Sequence, residues 1–280
     1  MNLIVMKRYI SVILLLFACL CVDAQKLTIL HVNDTHSHVD PERSGANKGM
    51  GGVIEQAAYI DSVRNAVGKK NLLLMHAGDF SQGSSYFTEM NGDVEVAAMN
   101  AAGYDVVCIG NHEFDNGIDE LARRIGNLKA QVVCANYDFS GSPLQKLIKP
   151  YAVFRKAGRK IGVIGLLTDI TPVVDRKIAD FLDYKDPVEV AESYARYLKE
   201  EKGCDMVICL THLGYDMKPV SDLDVAARTR NVDLVVGGHS HTRLSDETYV
   251  TNLSSRKVPV VSAWKWGLQM GNMTVDFQNQ

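Results

Sequence analysis

The sequence predicts a layered α/β domain built on a mixed β-sheet. Along most of the chain, short apolar runs alternate with longer amphipathic stretches, which is the pattern of successive strand and helix units. Near the C-terminus, two apolar runs follow each other without a helix between them, which indicates closing antiparallel strands. A chain of 280 residues with 46% hydrophobic side chains suits one large domain of this class.

The first half of the chain alternates strand and helix patterns. KLTILHVN predicts the first strand, and residues 51–67 predict a helix because Val53, Ile60 and Val63 recur near helical spacing. The next segments are, in order, a strand (NLLLMHA), a helix (GDVEVAAMNAAG), a strand (YDVVCIG), a helix (GIDELARRIGNL) and a strand (QVVCAN).

The second half begins with a predicted hairpin, YAVFRKAGRKIGVIGLL, which turns at residues 157–159. A helix with Pro187 at its start and Gly203 past its end follows the hairpin. The remaining segments are a strand (CDMVICL), a helix over residues 221–230, a strand (VDLVVG) and the two closing strands (VPVVSAW and GLQMGNMTVDF).

The N-terminus has the pattern of a secretory signal peptide. Lys7 and Arg8 precede an apolar run over residues 10–22, and Ala24 ends a stretch that suits cleavage. The apolar run is short for a transmembrane helix, so we expect no membrane span in the mature chain. The sequence therefore predicts a signal peptide over residues 1–24 and an exported domain over residues 25–280, periplasmic or secreted. Lipid attachment at Cys19 is a minor alternative.

The net charge and the cysteines of the chain limit the kinds of binding partner and of cysteine chemistry to be expected. The formal net charge of −3 at pH 7 argues against a nucleic-acid polymer or an anionic membrane as the ligand. The four cysteines that follow the signal segment lie within or next to apolar runs, and the chain contains no C-x-x-C pair. We therefore expect buried thiols there.

Oxygen and imidazole side chains follow five of the predicted strands. In α/β folds, ligands bind at the carboxyl ends of strands, so these residues form a candidate site. They are Asp34 and His36 after the first strand, Asp79 after the second, Asn111, His112 and Asp115 after the third, His212 after CDMVICL, and His239 and His241 after VDLVV. This mixture of carboxylate, amide and imidazole suits borderline divalent ions such as Zn²⁺ or Mn²⁺. The set is large enough for two ions and a bridging carboxylate.

The paired histidines of GGHSH point to the same conclusion. In extended backbone, His239 and His241 would point the same way, roughly 6–7 Å apart, and so serve one ion or two adjacent ones. A rival metal motif, H-x-H-x-D-H of metallo-β-lactamase-like hydrolases, starts at His36 but fails where Pro41 replaces its last histidine. The other three histidines, which are His31, His38 and His76, are expected to be mainly structural.

Five motifs occur in a fixed order: H-x-N-D-x-H, G-D-x-x-x-G, G-N-H-E-F-D, T-H-L-G and G-G-H-S-H. In this order they resemble the calcineurin-like metallophosphoesterases, and more narrowly their 5′-nucleotidase branch. The resemblance runs from Lys26 to Phe277. It implies a four-layer α-β-β-α sandwich with two mixed sheets.

The resemblance also implies the role of each site residue. Metal ion 1 would be bound by Asp34, His36 and His241, metal ion 2 by Asn111, His212 and His239, and both by Asp79. His112 and Asp115 would form the catalytic pair. The two histidines of GGHSH would thus serve different ions, and the glycines before them would let the backbone pass close to both.

The chemistry expected of this centre is hydrolysis of phosphate esters, with nucleotides as the first substrate class. Two cations about 3.5–4 Å apart clamp a phosphate and hold a hydroxide that attacks phosphorus in line. His112 would assist by acid or electrostatic catalysis, with Asp115 orienting its imidazole.

Several alternatives remain open at this point. Secreted members of the branch usually carry a C-terminal domain that holds the nucleoside, whereas the resemblance here ends at Phe277. Either a separate C-terminal chain supplies that domain, or the enzyme takes small phosphoesters less selectively. Cyclic nucleotides and UDP-sugars are alternative substrates for a phosphodiesterase or pyrophosphatase. An inactive binding partner would lack a ligand or the His112–Asp115 pair, and neither is missing.

Overall fold

The computed structural model describes residues 26–278. Two six-stranded β-sheets pack face to face, and helices cover both outer faces. The predicted four-layer α-β-β-α sandwich is therefore confirmed. The predicted signal peptide lies outside the described residues, so it and the domain boundary at residue 25 stay predictions.

The strands follow the order expected from the apolar runs. They are β1 (Lys26–Val32), β2 (Leu72–Ala77), β3 (Val106–Cys108), β4 (Gln131–Val133), β5 (Tyr137–Asp138), β6 (Ile148–Lys149), β7 (Tyr151–Lys156), β8 (Arg159–Leu167), β9 (Asp183–Tyr184), β10 (Met206–His212), β11 (Leu234–Gly237), β12 (Thr248–Thr251), β13 (Lys257–Ser262) and β14 (Gly271–Asp276). A small separate ribbon pairs β5 with β9.

The helices alternate with the strands through most of the chain. They are α1 (Val53–Val67), α2 (Ser85–Met90), α3 (Asp93–Ala102), α4 (Gly117–Gly126), α5 (Arg176–Ala179), α6 (Pro187–Glu200) and α7 (Asp222–Arg228), with short 3₁₀ turns at Lys69–Asn71, His112–Phe114 and Pro143–Lys146. Within residues 26–278, no helix is both long enough and apolar enough to cross a lipid bilayer.

The first sheet has the strand order β14-β1-β2-β3-β4-β6. Strands β1, β2, β3, β4 and β6 run parallel, whereas β14 pairs antiparallel with β1. The prediction of an antiparallel closing strand is therefore confirmed for the last apolar run.

The second sheet has the strand order β12-β13-β11-β10-β8-β7. The predicted hairpin forms β7 and β8, with Lys156 opposite Arg159. VPVVSAW forms β13, which pairs antiparallel with β12, as predicted for a closing strand, but parallel with β11 on its other side, where Val260 lies opposite Val235. The missed strand β12 explains this: the chain reverses in β12, pairs antiparallel with β13 and so brings β13 back in the direction of β11.

The strands near the middle of both sheets are buried on both faces. In β1, Leu27 and Ile29 contact the second sheet, whereas Leu30 and Val32 contact the helices on the outer face. Successive side chains of a strand point to opposite faces, so a strand between two apolar layers reads as a continuous apolar run. The four cysteines after residue 25 are free and buried in this interior, as predicted.

The carboxyl ends of strands from the two sheets meet at one edge. The imidazole of His212, at the end of β10, donates its Nδ1–H to the carbonyl of Ala77 at the end of β2, over 2.7 Å. The amide of Asp34, after β1, donates to the carbonyl of Gly78 over 3.0 Å. The loops after β1, β2, β3, β10 and β11 therefore form one surface, where ligands bind in open α/β sheets.

Candidate metal centre

Six of the predicted ligands come together at this edge as two groups of three. Within each group, one possible ligand atom from every residue lies within 4.8 Å of the others. The first group is Asp34, His36 and His241, and the second is Asp79, His212 and His239. The sequence analysis divided the histidines of GGHSH between two ions, and the structure divides them between these two groups.

The two groups share a boundary at two carboxylates. Asp79 Oδ2 lies 2.9 Å from His212 Nε2 in its own group and 3.9 Å from His36 Nε2 in the other. Asp34 Oδ1 lies 3.5 Å from His241 Nε2 and 3.9 Å from His212 Nε2. Both carboxylates therefore lie at the boundary between the two groups.

An unusual backbone conformation presents these side chains. Five of the six residues have positive φ: Asp34 (52°), His36 (46°), Asp79 (52°), His239 (76°) and His241 (51°). Such angles are uncommon for residues other than glycine and carry strain, which native structures concentrate at functional sites. The surrounding loops maintain these angles, and the side chains of each group converge on a common point.

Two glycines allow the loops to approach closely. A methyl group at Gly110 would overlap the carboxylate of Asp79. A methyl group at Gly238 would lie 2.6 Å from the carbonyl oxygen of Ala77, far inside a normal contact. The backbone at Gly238 thus passes close to the end of β2 and to the ring of His212.

Asn111 is the seventh predicted ligand, and its side chain fits a metal ion. The residue is 3% exposed, and its Oδ1 has no hydrogen-bond partner among the described residues. Buried polar atoms are almost always paired, so an unpaired amide oxygen beside a carboxylate and imidazole cluster is suited to a cation.

The charge of the cluster also favours a cation. Burial alone would lower the pKa of His212, but the charge and hydrogen bond of Asp79 outweigh burial and raise this pKa to about 10. Because Nδ1 of His212 donates to a carbonyl, Nε2 is the nitrogen that faces the carboxylates. Positive charge at this nitrogen is stabilised, whether a proton or a metal ion carries it.

His112 and Asp115 lie beside the ligand groups and outside both. The Nδ1 of His112 lies 2.9 Å from Asp115 Oδ2, and this hydrogen bond raises the pKa of the imidazole. The side chain of His112 is about a third exposed, 33%, whereas the neighbouring Asn111 is buried. The two consecutive side chains thus differ in burial, and the ring of His112 lies 5.3 Å from that of His36.

Glu113 is a site residue that the sequence analysis missed. Its buried carboxylate accepts hydrogen bonds from three backbone amides: Asp79 (2.9 Å) and Gly110 (2.6 Å) on Oε2, and Ser81 (3.0 Å) on Oε1. Burial, followed by the charge of Asp79, raises the pKa of Glu113 to about 7. This carboxylate ties the loop after β2 to the loop after β3. Its place within GNHEFD was the available sequence signal.

Replacing Glu113 by glutamine should loosen the metal centre without removing a ligand. Glutamine has one acceptor oxygen, so it cannot accept from all three amides, and its NH₂ group would face backbone donors. We expect the affinity for Mn²⁺, measured by calorimetry, to fall about 10–100-fold, the usual effect of losing an outer hydrogen-bond partner. The exposed Glu189→Gln variant is the control. Unchanged affinity in Glu113→Gln would show that the carboxylate does not position the ligands.

Asn33 is a second missed residue, next to the first predicted ligand. Its Nδ2 donates to Asp34 Oδ2 over 2.6 Å and to the carbonyl of Trp264 over 2.6 Å. Its Oδ1 accepts from the amide of Ala263 over 2.7 Å. Asn33 thus fixes the Asp34 carboxylate against the segment that follows β13. Its place within the H-x-N-D-x-H motif was the available sequence signal.

The other three histidines belong to neither ligand group, although Nδ1 of His38 donates to the carbonyl of His36 over 2.9 Å. Burial lowers the pKa of His31 to about 4. The Nε2 of His76 lies 3.0 Å from the hydroxyl of Thr35. His38 stacks on Trp266 with ring centroids 4.6 Å apart, so the rival metallo-β-lactamase-like motif does not form a ligand cluster.

The arrangement as a whole defines a candidate centre for two divalent ions with an adjacent histidine–carboxylate pair. The sequence model of the calcineurin-like phosphoesterase family matches residues 27–243. The chain belongs to this family. Membership supports the expected class of enzyme, a metal-dependent phosphoric ester hydrolase.

Within this family, the chain is similar to 5′-nucleotidases and to a related nucleotidase. The snake venom 5′-nucleotidase of Naja atra is 33% identical over 91% of this chain and 51% of its own length. The 5′-nucleotidase precursor of Thermus thermophilus superposes with a TM-score of 0.81 at 35% identity, over 90% of this chain and 51% of that one. The NAD nucleotidase of Haemophilus influenzae gives 0.80 at 29% identity, over 89% and 47%. The chain spans about half the length of each relative.

Proposed function

We propose that this protein hydrolyses phosphate esters with two divalent metal ions and acts on nucleotides as a 5′-nucleotidase does. The observation that carries the proposal is the pair of three-residue ligand groups that meet at Asp79, with His112 and Asp115 beside them. The likeness to 5′-nucleotidases supports nucleotides as the substrate class.

The ligand residues fit two ions of the kind that carboxylate and imidazole prefer. Asp34, His36 and His241 would hold one ion, Asn111, His212 and His239 the other, and Asp79 both. The unpaired Oδ1 of Asn111 supports this assignment, and Zn²⁺ or Mn²⁺ fits the mixture of donors. When bound, such ions supply Lewis-acid stabilisation of phosphoryl oxygens and lower the pKa of water from about 15.7 toward about 7.

The remaining chemistry falls to side chains that are not ligands. The Nε2 of His112 is free to face the phosphoryl group, because Nδ1 is occupied by Asp115. There it would stabilise charge on a phosphoryl oxygen or give a proton to the leaving oxygen. Asp115 would hold the ring in this orientation and favour its protonated form, as the raised pKa of His112 indicates.

Export belongs to the proposal as well. The charged and apolar pattern of the first 24 residues supports it, as does the likeness to snake venom 5′-nucleotidases. A mature protein that begins at Gln25 is the expected result of sequencing its N-terminus, and retention of the first 24 residues would contradict it. Lipid attachment at Cys19 and a separate C-terminal chain stay predictions.

A panel of phosphate esters tests the proposed activity. The protein is treated with chelator, and Zn²⁺ or Mn²⁺ is then added back before phosphate release is measured. We expect no release after chelation and restored release with AMP, UMP and p-nitrophenyl phosphate. Higher rates with a cyclic nucleotide or a UDP-sugar would favour the phosphodiesterase or pyrophosphatase alternative. Full activity in the presence of chelator would contradict the proposal.

A further inference from the structure

We propose that Arg243, held over the ring of Trp264, binds a second phosphate of the substrate next to the one that is hydrolysed. This inference rests on the proposed function and names its substrate class: nucleotides and other esters that carry two adjoining phosphates. The guanidinium carbon of Arg243 lies 4.7 Å from the centroid of the Trp264 ring. A stacked guanidinium keeps its N–H edge available for phosphate oxygens.

The pair is fixed to the metal centre from two directions. Arg243 follows the ligand His241 by two residues, where the chain leaves the GGHSH loop. It forms an isolated antiparallel β-bridge with Ala263. The amide of Trp264 donates to the carbonyl of Thr242 over 3.1 Å. The carbonyl of Trp264 accepts from Asn33, which also holds the carboxylate of Asp34. Arg243 and Trp264 are thus joined through the backbone to the loops that carry His241 and Asp34.

The backbone around Trp264 is strained in a way that the ligand loops maintain. Trp264 and Trp266 both have φ of 59°, an angle that bulky side chains rarely adopt. The amide of Trp266 donates to the carbonyl of Asp34 over 2.7 Å, which holds the segment in place. Strain of this kind persists where surrounding contacts impose it and is concentrated at ligand sites.

The charge at this position is not neutralised within the protein. Some exposed arginines have carboxylate partners, such as Arg123 with Asp93 and Glu120, whereas others, such as Arg155 and Arg196, have none among the described residues. Among residues 26–278, no carboxylate lies within ion-pair distance of Arg243. Lys265 lies 4.1 Å over the ring of Trp266 and also has no such partner in the described part of the chain. Two unpaired cations stacked on tryptophans favour an anionic ligand, and a planar guanidinium matches phosphate geometry.

These contacts predict a preference between substrates that differ by one phosphate. A monophosphate such as p-nitrophenyl phosphate would use the metal centre alone. A nucleoside diphosphate would place its terminal phosphate in the centre and the next phosphate at Arg243. Hydrolysis would break the bond between the terminal phosphorus and the bridging oxygen, with water as the nucleophile, and release phosphate and the nucleoside monophosphate.

The test compares ADP with p-nitrophenyl phosphate in Arg243→Gln. We expect KM for ADP to rise about tenfold, the effect of one charge-assisted hydrogen bond, while kcat and metal content stay near wild type. KM for p-nitrophenyl phosphate should change less than about threefold. Arg243→Lys should be intermediate, because it keeps the charge and loses the fork. Arg155→Gln, at an exposed arginine of β7, is the matched control.

A binding measurement separates this inference from the proposed function. Calorimetry with a methylene-bridged ADP analogue, in the presence of Mn²⁺, needs no hydrolysis. Weaker binding by Arg243→Gln supports the subsite even if no substrate is turned over. Equal binding by both proteins, or equal changes in KM for ADP and p-nitrophenyl phosphate, would overturn it while leaving the metal centre intact. Absence of phosphate release from every ester would contradict only the proposed function.

Discussion

Asp79→Ala is expected to lose metal binding and activity together, with a fall in kcat/KM of at least about 10³-fold. Asp79 Oδ2 is near histidines of both ligand groups, at 2.9 Å from His212 and 3.9 Å from His36. Its loss would leave a buried cluster of imidazoles without its central negative charge. Metal ions contribute several kcal/mol of transition-state stabilisation, and each 1.36 kcal/mol is a factor of ten in rate.

Two further variants make the result for Asp79 interpretable. Asp79→Asn keeps an oxygen that can accept from the amide of His112, a bond of 2.9 Å, and removes only the charge. It should fold as the wild type does and still lose metal. Asp180→Ala, at a carboxylate 62% exposed on the surface, should behave as wild type. Normal metal content in Asp79→Asn would show that the carboxylate does not bridge two ions.

His112→Ala is expected to keep its metal ions and its thermal stability but to lose activity by about 10²–10⁴-fold. The ring lies outside both ligand groups, is partly exposed and is held by Asp115 at 2.9 Å. Its neighbour Asn111 is buried whereas His112 is partly exposed, so removing the imidazole should leave the ligands in place. Elemental analysis, thermal unfolding and phosphate release on the same sample measure the three properties.

Asp115→Asn provides the graded comparison for His112. It should lose less activity than His112→Ala, because Asp115 orients and polarises the imidazole and does not contact the phosphoryl group. One result would contradict the proposed role of His112. If His112→Ala loses a metal ion and regains most of its activity at high metal concentration, then His112 is a ligand and its proposed role is wrong.

Much of the fold was predictable because the central strands are buried on both faces. Runs such as NLLLMHA and CDMVICL form β2 and β10, where every residue is buried. The missed strand β12 is short and lies at the edge of its sheet, and its alternating side chains are exposed. The direction of β13 could not be predicted, because an apolar run is equally compatible with parallel and antiparallel pairing. It depends on that edge strand and on the parallel partner β11.

The candidate site was predictable where function requires particular side chains after strands. Asp34, Asp79 and His212 lie at the ends of three apolar runs, and the structure places them together. Glu113 and Asn33 lie within two of the motifs, but their roles were missed because they bind backbone amides and neighbouring side chains, and a motif does not show which of its polar residues hold the others in place. The left-handed angles of the ligand residues were likewise invisible, because non-glycine sequence does not encode positive φ reliably.

The most direct test of the two-ion centre is elemental analysis of the purified, dialysed protein, with phosphate release measured on the same sample. The seven ligand residues predict about two divalent ions per chain and activity that rises in proportion to metal content. Full phosphate release from protein that holds less than about one tenth of an ion per chain would contradict the account, since every proposed ligand role depends on bound metal.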